Sequence, residues 1–519
     1  MDISGENQLA DFKARRQKVM EMGGAEAVIR QKERNKLTAR ERIDSLLDKG
    51  TFYEIGTFAT SRNKSYKEVP GDGVITGYGD IDGRKIYIYS QDFTSMGGTL
   101  SEIQARKITA VMDQALKAGC PLICINDSGG ARIQDGVKGL VGYGSMFHRH
   151  VYASGVIPQI CIIAGPCAGG AVYSPALMDF VFMVDGISYA FITGPRVIKA
   201  VMGEEIGVET LGGAAPAQQK AGFACRSEGD EKTCFNGVRE LLSYLPSSNK
   251  EKPARVNRGD SPERALSSLF EIVPADPKKP YDMHKVIEEV FDRRNDGGKS
   301  YFELFPQFAT NIITCFSRLN GWAVGIIANQ PMSKAGCLDI DACDKSSRFI
   351  RFCDAFKIPI INLVDVPGYL PGVDQEWGGI IRHGAKTIYA YVEATVPKIT
   401  LILRKSYGGA YIGMCGKELG ADSVFCWPNA ELAVMGPEGA AEIIFARELK
   451  KAEDPQGLLA HKIEEYRQQF ANPYNAAFDF DIDEVIDPAE TRRRLIAALE
   501  ATINKTEILP EKKHGVMPA

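Results

Sequence analysis

Short, uninterrupted apolar runs recur along the chain, separated by longer stretches of helical period. In the first half they are KIYIYS (85–90), PLICIND (121–127), PQICIIAG (158–165) and FVFMV (180–184). In the second they are WAVGIIAN (322–329), PIINLVD (359–365), KITLILR (398–404) and SVFCW (423–427). Runs of this length without polar alternation predict strands covered on both faces, and the stretches between them predict helical crossovers. Each half therefore reads as an α/β unit built on a parallel-type sheet. The longest apolar stretch, 155–184, is broken by Pro158, Gly165, Pro166, Gly169, Gly170 and Pro175 and carries Asp179. That pattern predicts strand, glycine turn and helix, because a membrane span needs about 20 fairly continuous apolar residues.

The halves repeat each other. Gly83 precedes Asp127 by 44 residues, and Gly321 precedes Asp365 by 44. Pro121 and Pro359 each stand six residues before that Asp, and Lys107 and Lys345 each stand 20 before it, in amphipathic helical segments. AFITGP (190–195) matches LAVMGP (432–437), and the offset stays between 238 and 242 throughout. Such a series in one order is the mark of duplication. The polar, Pro-containing stretch 246–263 suits a linker. The expected division is a domain over 1–262 and a second over 263–519, with helical tails at both ends.

Composition narrows the function classes. With a net charge of −4 over 519 residues, there is no basic excess to point to nucleic acid. Twelve cysteines form no CxxC and several sit in or beside the apolar runs, so they read as small buried hydrophobes in a reducing interior. The opening residues lack a signal peptide's apolar core. A cytoplasmic protein is expected.

Candidate chemistry lies where glycines follow the apolar runs. Gly169-Gly170-Ala171 and Gly408-Gly409-Ala410 each begin eleven residues beyond a proline, Pro158 and Pro397. Asp127-Ser128-Gly129-Gly130-Ala131 and Asp365-Val366-Pro367-Gly368 supply a second junction in each half. Glycine at a strand-to-helix turn allows close approach and leaves free N–H groups pointing outward. Two such groups converging from separate junctions make an oxyanion hole. An isolated junction favours plain strand–helix packing, but four at duplicated spacing reverse that preference towards a ligand role without identifying the ligand. Neither a GxSxG elbow nor a GxxxxGK[ST] loop is present, and none of the six histidines has a triad context. His148 and His150 read as helix-surface residues rather than metal ligands, and His383 as structural rather than a ligand contact.

The motifs SQDFTSMGG, DSGGARIQDGV, PQICIIAGPCAGGAVYSPALMDF, FITGPRVIK, VDVPGYLPGVDQEWGGIIRHGAK and RKSYGGAY resemble the acyl-CoA carboxyltransferase family over roughly residues 30–500. The family includes propionyl-CoA carboxylase β chains, transcarboxylase large subunits and methylmalonyl-CoA decarboxylase α chains.

That resemblance implies a duplicated crotonase-like fold, a homo-hexamer built as a trimer of dimers, and a site between one subunit's N-terminal domain and its partner's C-terminal domain. Ala131 and Gly170 are then the N–H donors to the acyl-CoA thioester, with Gly129, Gly130, Gly169 and Ile412 on the substrate side. Gly409 and Ala410 are the donors to the ureido carbonyl of biotin, with Gly368, Gly408 and Tyr411 beside them. No metal is implied. With neither a biotinylation site nor an ATP-binding loop, the implied partners are a separate biotin carboxyl carrier protein and either a biotin carboxylase or a membrane decarboxylase subunit. Methylmalonyl-CoA/propionyl-CoA is the favoured pair. Acetyl/malonyl-CoA, glutaconyl-CoA and a non-catalytic scaffold that binds CoA and the carrier stay open. Two positions depart from many relatives: Ala217 stands where a His follows LGGA, and Ile412 where an Asp follows GGAY.

Overall fold

A computed structural model describes residues 5–519. The chain divides into two compact units, Met1–Glu251 and Lys252–Ala519. The second begins eleven residues before the boundary expected at 263. The polar stretch 252–262 is tied to the second unit: Lys252 Nζ donates to the Ile503 carbonyl at 2.6 Å, Val256 N–H to the Gly321 carbonyl at 2.9 Å, and Arg492 Nε to the Ser261 carbonyl at 3.0 Å.

The first unit holds an eight-stranded sheet: β1 (Tyr53–Glu54), β2 (Val74–Ile81), β3 (Arg84–Gln91), β4 (Leu122–Ser128), β5 (Gln159–Ala168), β6 (Phe180–Val184), β7 (Tyr189–Phe191) and β8 (Arg226–Glu228). Its order is β1-β2-β3-β4-β5-β6-β8, with β7 paired to β5. The second unit holds β9 (Tyr301–Leu304), β10 (Ile312–Leu319), β11 (Trp322–Asn329), β12 (Ile360–Val366), β13 (Lys398–Tyr407), β14 (Ser423–Cys426), β15 (Glu431–Ala433) and β16 (Glu484–Val485). Read from β9, its order is β9-β10-β11-β12-β13-β14-β16, with β15 paired to β13. The two topologies coincide. In each, the first three strands are antiparallel and the rest run parallel.

The apolar runs form β3 to β6 and β11 to β14, as their composition predicts. β4 and β12 are buried at every residue, the expected state of a central parallel strand covered by helices on both faces. β2 and β10, the antiparallel neighbours, carry no pure apolar run: Gly77, Gly79 and Asp80 interrupt one, Thr314, Ser317 and Arg318 the other. They are held by pairing with β3 and β11.

The crossover helices Glu102–Ala118 and Ile340–Ala355 are capped by Ser101 and Asp339, whose side chains accept from the third helical N–H. On them, Lys107 and Lys345 point inward. Lys107 Nζ donates to the carbonyls of Gly71 (2.8 Å) and Val74 (2.6 Å). Lys345 Nζ donates to those of Phe305 (2.9 Å), Phe308 (2.9 Å) and Ile312 (2.8 Å). Each amine ties down the turn that feeds β2 or β10. Burial lowers both amines to about 8. No helix of the described residues is long and apolar enough to cross a membrane.

Candidate functional site

The four glycine junctions lie at the carboxyl ends of neighbouring parallel strands, two in each unit. In the first, β4 and β5 run in register to Asn126↔Ile163, shift, and meet again at Ser128↔Cys167. In the second, β12 and β13 shift in the same place and meet again at Val366↔Ser406. Such an irregularity re-aims the chain as it leaves the sheet.

Beyond β4, Gly129 N–H donates to the Gly97 carbonyl at 2.9 Å and Gly130 N–H to Ser128 Oγ at 3.1 Å. A bridge joins Leu100 to Ala131 through Leu100 N–H to Gly130 O (2.8 Å) and Arg132 N–H to Leu100 O (2.9 Å). The Ala131 N–H between them has no backbone partner. Gly130 lies at φ 103°, and a Cβ there would stand 3.2 Å from the Ala168 carbonyl, so this junction touches the end of β5. Gly169 follows at φ 62°, and Gly170 sits in a short helical turn, Gly169–Val172. A Cβ on Gly170 would stand 3.2 Å from the Tyr143 ring. The first residues of a helix have no acceptor within it. The structure thus brings Ala131 beside the junction that carries Gly170, with Gly129 and Gly130 shaping the backbone through amides already engaged.

The second unit repeats this. Leu338 N–H donates to Gly368 O (3.1 Å) and Leu370 N–H to Leu338 O (2.8 Å), leaving the N–H of Tyr369 without a backbone partner. Gly408 lies at φ 59° with its N–H on the Ala433 carbonyl at 2.9 Å. Gly409 and Ala410 open the helical turn Gly409–Gly413. The Tyr369 ring stands 3.5 Å from where a Cβ on Gly409 would lie. Tyr411 is half-buried, its phenol raised by burial, and Ile412 is exposed. Sequence reasoning singled out Gly368 but not Tyr369. The repeat could have found it, because the offset of 238 carries Ala131 onto Tyr369.

Under each junction lies a buried carboxylate. Asp127 accepts from Lys36 Nζ (2.7 Å), Arg42 Nη1 (2.9 Å) and Gln31 Nε2 (3.2 Å), and Arg42 also reaches Glu231 at 2.7 Å. Burial lowers the Lys36 amine even though Asp127 opposes the shift. In the second unit Asp365 accepts from Arg404 Nε at 3.0 Å, and Arg404 also donates to the carbonyls of Asp276 and Lys279 at 2.9 Å each. Each ion pair neutralises a carboxylate buried at the end of a central strand.

His148 lies on the exposed face of its helix as expected, but His150 does not: it turns inward, fully buried against Gln159, and burial lowers it to about 4. His383 Nδ1 pairs with Asp344 at 2.8 Å, and the His148 ring lies 4.2 Å from that of Tyr152. Among the described residues no group of His, Cys, Asp and Glu is placed to hold a metal ion.

Two homologous α/β units of one topology, each ending its central parallel strands in glycine junctions, define a duplicated α/β class. Comparison with known proteins supplies the family. The carboxyl transferase domain matches residues 30–517, and the chain belongs to that family. It is 52% identical over 517 residues to the carboxyltransferase subunit of propionyl-CoA carboxylase from Haloferax mediterranei, covering 99% of each chain. It is 50% identical to the α subunit of methylmalonyl-CoA decarboxylase from Propionigenium modestum, covering 98% of this chain and 99% of that one. It superposes with TM-score 0.96 and 48% identity on one chain of transcarboxylase 12S, whose crystal structure describes a hexamer assembly with methylmalonyl-coenzyme A and methylmalonic acid bound, covering 100% of this chain and 99% of that one. The protein is a biotin-dependent carboxyltransferase with the duplicated crotonase-like fold that its motifs imply.

Proposed function

We propose that this chain is the carboxyltransferase subunit of a biotin-dependent complex, moving a carboxyl group between carrier-bound biotin and the α-carbon of methylmalonyl-CoA/propionyl-CoA. The observation that carries the reading is the set of unengaged amides at the strand ends, Ala131 with Gly170 from two junctions of the first unit and Gly409 with Ala410 from one junction of the second. The identities to propionyl-CoA carboxylase and methylmalonyl-CoA decarboxylase chains support the substrate pair.

In this reading the first unit takes the thioester. Ala131 and Gly170 donate to its carbonyl oxygen, on which negative charge grows as the α-carbon gains or loses the carboxyl group. The glycines at 129, 130 and 169 let that carbonyl approach, and Ile412 meets the acyl group. The second unit takes biotin, which supplies a ureido ring able to accept and release a carboxyl group. Its residues fit: Gly408 has only the Val434 carbonyl within 4 Å of its missing Cβ, at 3.2 Å, and no charged side chain closes the approach to Gly409. Gly409 and Ala410 donate to the ureido oxygen, and Gly368, Gly408 and Tyr411 shape the surround. Holding both partners supplies proximity without a titrating side chain.

The assembly in this reading is a cytoplasmic homo-hexamer, a trimer of dimers. It is served by a biotin carboxyl carrier protein and by either a biotin carboxylase or a membrane decarboxylase subunit. The test incubates the purified protein with methylmalonyl-CoA and free biotin and measures propionyl-CoA. Transfer is expected, and Gly170→Val, which drives a branched side chain into the Tyr143 ring, is expected to lower it more than 100-fold with the oligomer intact. No transfer with any acyl-CoA overturns the function, and full activity of Gly170→Val overturns the first hole.

A further inference from the structure

The two glycine junctions differ in what holds them from behind. In the second unit β13 pairs with β15 as Lys405↔Glu431, Ser406↔Leu432 and Tyr407↔Ala433. Tyr407, the residue before Gly408, is buried, packs its ring 3.3 Å from where a Cβ on Gly436 would lie, and donates its hydroxyl to Glu431 Oε2. Glu431 Oε1 accepts from Arg467 Nε at 2.9 Å, and Arg467 Nη1 is held by Glu464 at 2.9 Å. Two residues beyond Glu431, the Ala433 carbonyl accepts the Gly408 N–H at 2.9 Å. The Tyr407–Gly408 peptide is therefore stapled to β15 on both sides, by a side chain before it and a backbone bond after it. β15 is in turn tied to the end of the helix Pro455–Phe470 by Arg467 and by Leu432 N–H to Ala471 O at 3.1 Å.

The first unit has no such staple. Its β5–β7 register, Pro166↔Tyr189 and Ala168↔Phe191, puts Ala168 where Tyr407 stands and Tyr189 where Glu431 stands. The Tyr189 hydroxyl turns instead to the Gly186 carbonyl at 3.2 Å.

We propose that Tyr407, Glu431 and Arg467 form a positioning relay specific to the second unit, which sets the backbone at Gly408 and so the aim of the Gly409 and Ala410 amides. Its effect on biotin rather than on the thioester rests on the assignment of substrates to units made above. The phenol is raised by burial and by the neighbouring Glu431 charge, so Tyr407 keeps its proton and remains the donor of this bond. Glu431 and Arg467 also line a cavity of about 680 Å³, so the outer end of the relay can be altered without opening the core beneath Tyr407.

The test uses the full-length oligomer with three variants, Tyr407→Phe, Glu431→Gln and Arg467→Ala. The last reaches the relay from the cavity side should the buried changes impair folding. Two readouts are taken: amide exchange over 409–413 against 169–172, and KM for free biotin against KM for methylmalonyl-CoA. The expected result is faster exchange over 409–413 alone. KM for biotin should rise about ten-fold in Tyr407→Phe and about three-fold in Arg467→Ala, with KM for the thioester within two-fold of the parent, the scale of one hydrogen bond to a charged acceptor. Unchanged exchange at 409–413, or faster exchange throughout the second unit, overturns the relay. Faster exchange at 409–413 with a raised KM for the thioester alone leaves the relay standing and overturns the assignment of biotin to the second unit.

Discussion

Asp127 and Asp365 hold the same place in the two units, at the end of the central strand and under an unengaged amide, yet their cations come from different parts of the chain. In the second unit the partner is local: Arg404 belongs to β13, the strand beside Asp365. In the first, the offset of 239 that aligns Gly169 with Gly408 puts Gly165 where Arg404 stands. The space is filled by Arg42 and Lys36, more than 80 residues upstream. Each unit neutralises one buried carboxylate, as it must, because an unpaired charge there costs several kcal/mol. Duplication has kept the electrostatic requirement while the residues that meet it have changed. A cation inherited from the helical segment 25–46 makes the first unit depend on chain outside its sheet. The second unit carries its cation within the sheet.

The largest expected effect breaks that comparison at Gly165. A Cβ there would collide with the Asp127 carboxylate and stand 2.6 Å from Lys36 Nζ. Gly165→Ala should therefore destabilise the first unit by about 3–5 kcal/mol, the cost of disrupting a buried ion pair. Arg404→Met should destabilise the second by a similar amount, since it leaves Asp365 without its guanidinium. Denaturant unfolding followed by peptide-resolved exchange reads each unit separately. If Gly165→Ala stays within 1 kcal/mol of the parent, the two carboxylates are not held by equivalent means.

A feature the units share gives the next effect. Lys107 and Lys345 are each lowered from the ordinary 10.5 to about 8, in each case mainly by burial. The unfolded chain keeps these protons up to about pH 10.5, whereas the folded chain releases them near 8. Between those values the unfolded state binds more of these two protons, so the lysines' own contribution to stability rises with pH across that window. With 1.36 kcal/mol per pKa unit, each lysine contributes a rise of about 3 kcal/mol. Buried thiols such as Cys124, Cys161 and Cys315, which burial raises, pull the whole curve down over the same window, because the unfolded chain loses protons that the folded chain keeps. The readout is therefore the difference: from pH 8 to 10 the urea midpoint of Lys107→Met or Lys345→Met should fall further than the parent's, and that of the double variant about twice as far. An unequal loss between the single variants would show that the two amines are not energetically equivalent.

The strands with pure apolar runs were legible because a strand buried on both faces leaves no room for polar residues, and β4 and β12 follow that rule at every position. β2 and β10 were not legible: pairing with a neighbour holds them, and pairing leaves no period in the sequence. The glycine junctions could be read, since backbone at positive φ or in close approach restricts residue type directly. Tyr369 and Ala131 show the opposite case. What sets both apart is an N–H without a backbone partner among the described residues, a group that any residue but proline possesses, so only the repeat offset links them. The Asp127 cluster and the Tyr407–Glu431 pair escaped for a further reason. They join residues 85 and 91 apart in one case and 24 in the other, with no local pattern to announce them.

The smallest expected effect sharpens the comparison at the helix ends. Gly119 closes the helix Glu102–Ala118 at φ 65°, and the next residue, Cys120, donates its N–H back to the Ala115 carbonyl at 3.1 Å. The helix Ile340–Ala355 closes the same way, with Ile358 N–H on the Cys353 carbonyl at 2.9 Å, but the residue at positive φ is Lys357, at 55°. This ending favours glycine because the left-handed conformation crowds a Cβ against the following carbonyl, at about 1–2 kcal/mol. Part of that gain is offset by glycine's larger entropy in the unfolded chain. Lys357→Gly should therefore stabilise the second unit by about 0.5–1 kcal/mol, and Gly119→Ala should destabilise the first by about 1 kcal/mol. A Cβ at Gly119 meets only Ser248 Oγ, at 3.5 Å, so steric exclusion adds nothing there and the difference isolates backbone strain. If Lys357→Gly is neutral or destabilising, the lysine side chain contributes enough to cancel the strain, and the helix ends, like the carboxylates beneath the junctions, reach one geometry by two routes.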